Sequence, residues 1–88
     1  MKRKELLEEA AKITNGERQE HYGTPEDNFA RIAALWNAYL GKPYLATQDV
    51  AAMMILLKTA RIAADPKHLD SWIDIAGYAS CGGEIVSG

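Results

Sequence analysis

Residues 49–78 read DVAAMMILLKTARIAADPKHLDSWIDIAGY, and this stretch decides the fold. Between Asp49 and Lys58 stand eight uncharged residues whose apolar side chains point in every helical direction. That predicts a helix surrounded by protein rather than one lying on a surface. The Pro66 ring disfavours helical geometry at Asp65, so the helix ends near Ala63 or Ala64. A second helix begins near His68 or Leu69. On the first, Lys58 and Arg61 are neighbours on one face; on the second, Asp70, Asp74 and Tyr78 follow at four-residue steps and share a face. Two cations and two carboxylates are therefore expected to meet beside the core.

Working outward, Thr47 is placed to start the central helix, with Gln48 and Asp49 in its first turn. Upstream, Thr24-Pro25-Glu26-Asp27 is the clearest helix start in the chain: Thr24 can cap, Pro25 suits the first turn, and the two acids favour the positive end of the dipole. That helix carries Phe29, Ile32, Ala33, Trp36 and Leu40 at spacings of three and four and stops at Gly41. An N-terminal helix with Leu6, Leu7, Ala10, Ala11 and Ile13 as its apolar stripe runs to Asn15-Gly16, a stop signal. A short segment, Glu17 to Tyr22, is closed by Gly23 and places Arg18 and Tyr22 on one side. Gly82-Gly83 is expected to break the last helix. No stretch alternates as a strand does. The reading is one all-α domain over residues 1–88, a four-helix, bundle-like fold with an N-terminal helix over 1–16, a core over 17–81 and a frayed tail over 82–88.

Composition narrows the classes. A chain of 88 residues can bury one modest core, yet 48% of it is apolar. A monomer this small would struggle to hide an apolar central helix together with Trp36, Trp72 and Tyr39, which predicts a homodimer or higher oligomer. The formal charge of −2 supplies no global field for nucleic acid. A nucleic-acid binder would need Lys2, Arg3, Lys4, Arg18 and Arg31 on one face. The single cysteine, Cys81, fits a reducing compartment and reads as a small apolar packing residue. No signal peptide is expected, because Lys2 to Lys4 precede a charged amphipathic segment. The central apolar run is far short of the ~20 residues that cross a bilayer. A cytoplasmic protein without membrane partners is the expectation.

The charged residues admit two readings. Lys58 and Arg61 either snorkel outward and pair with Asp70 or Asp74, or present positive charge to a phosphate together with Arg18. Asp70 and Asp74 either serve local electrostatics or hold one magnesium ion, shared with Glu17 and Glu20; magnesium takes one or two carboxylates and completes its shell with substrate oxygens and water. Tyr22 and Tyr78 either pack in the core or stack on a base. His21 and His68 belong to no ligand motif, and there is no phosphate-cradling GxxxxGK[ST] loop or nucleophile elbow.

The pattern Arg18-x-x-x-Tyr22-Gly23-x-Pro25, Asn28-Phe29, Asp49 through Lys58-x-x-Arg61, and Asp70-Ser71-Trp72-x-Asp74-x-x-Gly77-Tyr78 resembles a group of small phage and prophage proteins. The resemblance runs from about Arg18 to Cys81. More remotely, the last part looks like helices of the MazG-like all-α nucleoside triphosphate pyrophosphohydrolases, in which an acidic helix pair binds magnesium. By that likeness Asp74 matches the Asp of the family's ExxD motif, with Ser71 in place of its Glu, and Glu17-x-x-Glu20 shadows the EExxE motif. The resemblance implies a phage-type protein, in the host cytoplasm, that binds a nucleotide with magnesium. In the pyrophosphohydrolase-like form Asp74 and Asp70 hold the cation, Lys58, Arg61 and Arg18 neutralise phosphate, and a metal-bound water attacks. The competing expectation is a non-enzymatic helical module that binds other proteins through its apolar faces.

Overall fold

The computed structural model places the backbone of residues 1–88 and describes every side chain except those of Glu17 and Arg18. Five helices follow in order: α1 (Arg3–Asn15), α2 (Glu17–Tyr22), α3 (Pro25–Leu40), α4 (Thr47–Ala64) and α5 (Leu69–Ser87). The fold is a single all-α domain of four long helices, with α2 as a short insert between the first two. Among the described residues no helix is long and apolar enough to cross a membrane.

Local chemistry sets the helix ends. The Thr24 hydroxyl accepts from the Asp27 N–H at 3.2 Å, with Pro25 in the first turn of α3, as its sequence predicts. Gly41 closes α3 in the left-handed conformation, φ 75°. At α4 the capping differs from expectation: Ala46 is the cap position, and the Asp49 carboxylate reaches back to accept from the Ala46 N–H at 2.7 Å, leaving Thr47 as the first helical residue. Gly16 ends α1 without the left-handed turn that Asn15-Gly16 suggests; its φ is −104°.

Short connections make α3–α4 and α4–α5 antiparallel hairpins. In the first, the Asn37 side chain clamps the loop, donating to the Leu45 carbonyl and accepting from the Leu45 N–H, both at 2.9 Å. In the second, the Trp72 Nε1–H donates to the Pro66 carbonyl at 3.0 Å, and His68 Nδ1 lies 2.8 Å from the hydroxyl of the buried Ser71. The core sits where α3, α4 and α5 meet: Phe29, Ala33, Val50, Ala51 and Cys81 are buried together, flanked by Ile32, Trp36, Met54, Tyr78 and Ile85. Cys81 is thus a packing residue, as its surroundings in the sequence suggest.

Two expectations give way. Helix α5 does not break at Gly82-Gly83 but runs on to Ser87, so residues 82–87 are helix rather than frayed tail. A Cβ on Gly82 would lie 3.1 Å from the Ala51 Cβ, so glycine allows α4 to approach here. Each helical glycine costs about 1 kcal/mol relative to Ala. Ile85, one turn further on, packs against the core; burying such a side chain contributes up to about 1.5–3 kcal/mol and offsets much of that cost. The second correction concerns α4 itself. Within one chain only Val50 and Ala51 of α4 are buried, while Met53, Leu56 and Leu57 are exposed at 40%, 66% and 43%. Helices α3 and α5 cover one side of α4 and leave the other bare. The radius of gyration, 13.6 Å, exceeds the roughly 12 Å of a globular chain of this length, as an open bundle requires.

Candidate functional site

Helix α5 is the spine of the site. Its residues Ile73, Gly77 and Cys81 are buried, and Asp74 and Tyr78, one turn apart, sit half-buried beside them. Helix α1 crosses closely over Gly77: a Cβ there would lie 3.2 Å from Thr14 Cγ2. On the opposite side the Tyr78 ring lies 6.2 Å from that of Phe29 in α3, the rings tilted by 38°. Between these supports lies an open cleft of about 60 Å³, with walls from α1, α2, the Gly23 turn, α3 and α5.

The floor is apolar, built from Ala10, Ile13, Phe29 and Ile73, and the polar groups stand around it: Asp74 and Tyr78 from α5, Tyr22 and Gln19 from α2, Asn28 from α3. The turn between α2 and α3 depends on Gly23, whose φ of 81° and ψ of −168° are a glycine conformation. It brings α2 back so that Tyr22, 54% exposed, lines the cleft.

Asp74 carries the electrostatics. Its Oδ2 lies 3.0 Å from Lys58 Nζ of α4, the two side chains being 31% and 18% exposed. The pair joins α4 to α5 and offsets the Asp74 charge with that of Lys58. Lys58 is not among the residues of the cleft wall. Arg61 and Asp70 are exposed, stand outside the cleft, and make no ion pair among the described residues. The expected meeting of two cations and two carboxylates is therefore one pair. Glu20 is exposed and also lies outside the cleft wall. The side chains of Glu17 and Arg18 lie outside the described residues. Among the described residues no group of three or more His, Cys, Asp and Glu is placed to hold a metal ion.

Of the residues singled out from the sequence, the cleft gathers Asp74, Tyr78 and Tyr22. It adds the side-chain amides of Asn28 and Gln19. Asn28 stood in the resemblance pattern beside Phe29, but nothing local in the sequence marks Gln19.

Fold and site together define a small all-helical domain with, among the described residues, the Asp74 carboxylate set in the wall of a cleft lined by apolar and neutral polar side chains. The chain belongs to the family described as a domain of unknown function, DUF6378, whose pattern it matches over residues 5–86. It is similar to the Gene 55 protein of Mycobacterium phage D29, with 47% identity over 76 residues, covering 86% of this chain and 50% of that protein. It is likewise similar to the Gene 55 protein of Mycobacterium phage L5, at 47% identity over 74 residues, 84% of this chain and 47% of that protein. The family is thus one of phage proteins. The chain spans about half the length of these relatives. No solved structure matches it.

Proposed function

We propose that this phage-family domain binds a nucleotide across the α1–α2–α3–α5 cleft. The observation that carries the reading is the gathering of Tyr22, Tyr78, Asn28, Gln19 and Asp74 around one apolar floor. Two phenol rings supply stacking surface, two amides read donors and acceptors on a base, and the carboxylate can accept from a sugar or base. At about 60 Å³ the cleft is smaller than the roughly 150 Å³ that encloses a benzene ring, so a base would sit in the mouth against the exposed Tyr22.

The charge distribution governs what happens to the phosphates. Lys58 is occupied by Asp74, and Arg61 lies outside the cleft wall. With respect to these two cations, phosphates would extend toward solvent with Arg61 as a flanking contact; the third candidate, Arg18, lies outside the described side chains. Magnesium enters this reading as the ion the phosphates carry, with Asp74 as its protein ligand; the Glu17 side chain lies outside the described residues, and among those described no group of three or more His, Cys, Asp and Glu is placed to hold a metal ion.

Calorimetric titration with the nucleoside triphosphates, with and without magnesium, tests the reading. Tyr22→Ala and Asp74→Asn should each weaken binding roughly tenfold, the equivalent of about 1.4 kcal/mol, while Glu8→Gln on the exposed side of α1 should not. Silence with every nucleotide would end it. The competing interaction-module reading expects Asp74→Asn to leave function intact and polar changes on the apolar faces of α3 and α4 to abolish it.

A further inference from the structure

Helix α5 buries one side and leaves another bare, and the bare side has a pattern. Leu69, Trp72, Ala76, Ala79, Gly83 and Val86 follow at alternating spacings of three and four, the seam of a helix made to pack against another helix. Leu69, Trp72 and Val86 are exposed at 42%, 46% and 69%. No charge interrupts the seam; Asp70, Asp74 and Glu84 fall on other sides of the helix. On α4, Met53, Leu56 and Ala60 are likewise uncharged and exposed.

Gly83 is the telling residue. A Cβ on Gly77 would press on Thr14 and one on Gly82 on Ala51, so packing within the chain accounts for those glycines. A Cβ on Gly83 would meet nothing within 4 Å. Glycine weakens a helix interior, and nothing within this chain asks for it there. A close approach from outside does.

We propose that the α5 seam docks against the α5 seam of a second copy of this chain, antiparallel about a two-fold axis passing between Gly77 and Tyr78 in sequence. The seam is complementary to itself in that arrangement. Ala76 meets Ala79 of the other copy, Leu69 meets Val86, and the large Trp72 falls opposite the empty side of Gly83, so large and small alternate across the axis. The hydrogen bond from Trp72 to the Pro66 carbonyl fixes the indole for this role. From Leu69 to Val86 the seam spans about 26 Å at 1.5 Å per residue, roughly five turns along which two copies can pack side by side. A continuous uncharged face of that length is unusual on a monomer. The cleft plays no part in this contact, so a monomer that binds nucleotide, or a dimer that does not, separates this inference from the proposed function.

Sedimentation equilibrium of the full chain is the test. Wild type should run at twice its 9.7 kDa mass. Gly83→Leu fills the slot for Trp72 while meeting open space in its own chain; it should give a monomer with unchanged helical circular dichroism. Ala76→Glu and Ala79→Lys should each be monomeric alone and form a heterodimer when mixed, because position 76 of one copy faces position 79 of the other. Leu35→Glu, on exposed α3 away from the seam, should stay dimeric. A wild-type monomer at about 100 μM, well above the micromolar range of ordinary specific association, would overturn the proposal. So would a dimer that Gly83→Leu leaves intact, or mixed Ala76→Glu and Ala79→Lys chains that fail to pair.

Discussion

Gly23 and the Lys58–Asp74 pair show how differently single residues weigh in this molecule. Gly23 holds a φ of 81° with ψ near the extended limit, where an L side chain is strained, and the α2–α3 turn rests on it. Gly23→Ala should lower stability by about 1–3 kcal/mol, read as a lower urea midpoint, and should swing Tyr22 out of the cleft wall. The ion pair is worth less than its 3.0 Å separation suggests, because Asp74 is about one-third exposed and water screens it. Lys58→Ala should therefore cost no more than about 1 kcal/mol in the same titration, and that cost should shrink in high salt. At this scale much of the site was legible. The four-residue step from Asp74 to Tyr78 follows from helical geometry alone, and both reach the cleft. What placed Arg61 and Asp70 elsewhere is the crossing of α4 and α5, which no spacing within either helix encodes.

Among the elements, the loop from Gly41 to Ala46 is held by one side chain. Asn37 both donates to and accepts from the Leu45 backbone across eight positions of sequence. Asn37→Ala should cost about 1–3 kcal/mol, the penalty of leaving part-buried backbone groups unpaired, and should make residues 42–46 the first site of limited proteolysis. The helix starts and stops that depend on neighbours in sequence were readable: Thr24-Pro25, Gly41 and Asp65-Pro66 all act as their chemistry predicts. Signals that depend on distant packing were not. Gly82 looks like a breaker until Ala51 is seen against it, and then the same residue is what lets α4 and α5 lie close. Gly82→Leu should push the two helices apart and destabilise by about 1–3 kcal/mol, as overpacking does, in contrast to the tolerated Gly83→Leu.

The molecule as a whole is a two-sided object, with helices α1, α2 and α3 on one side of the α4–α5 hairpin and solvent on the other. The apolar run of residues 50–57 predicts a helix enclosed by protein, whereas within this chain only Val50 and Ala51 of it are buried, because periodicity reports apolar content and not which neighbours stand against it. If a second copy supplies the rest, the melting temperature of wild type should rise with protein concentration, while that of Gly83→Leu should not. Differential scanning fluorimetry over a hundredfold dilution range reads this directly.

The narrow fit between Thr14 and Gly77 reaches beyond this one chain. A relative that acquired a methyl at the position of Gly77 would press on the residue at the position of Thr14, which must give by a few tenths of an ångström or be replaced by a smaller one to keep the same spacing between the first and last helices. Substitutions at those two places should then travel together through the lineage. A descendant that changed one without the other would have parted the two helices that wall the cleft.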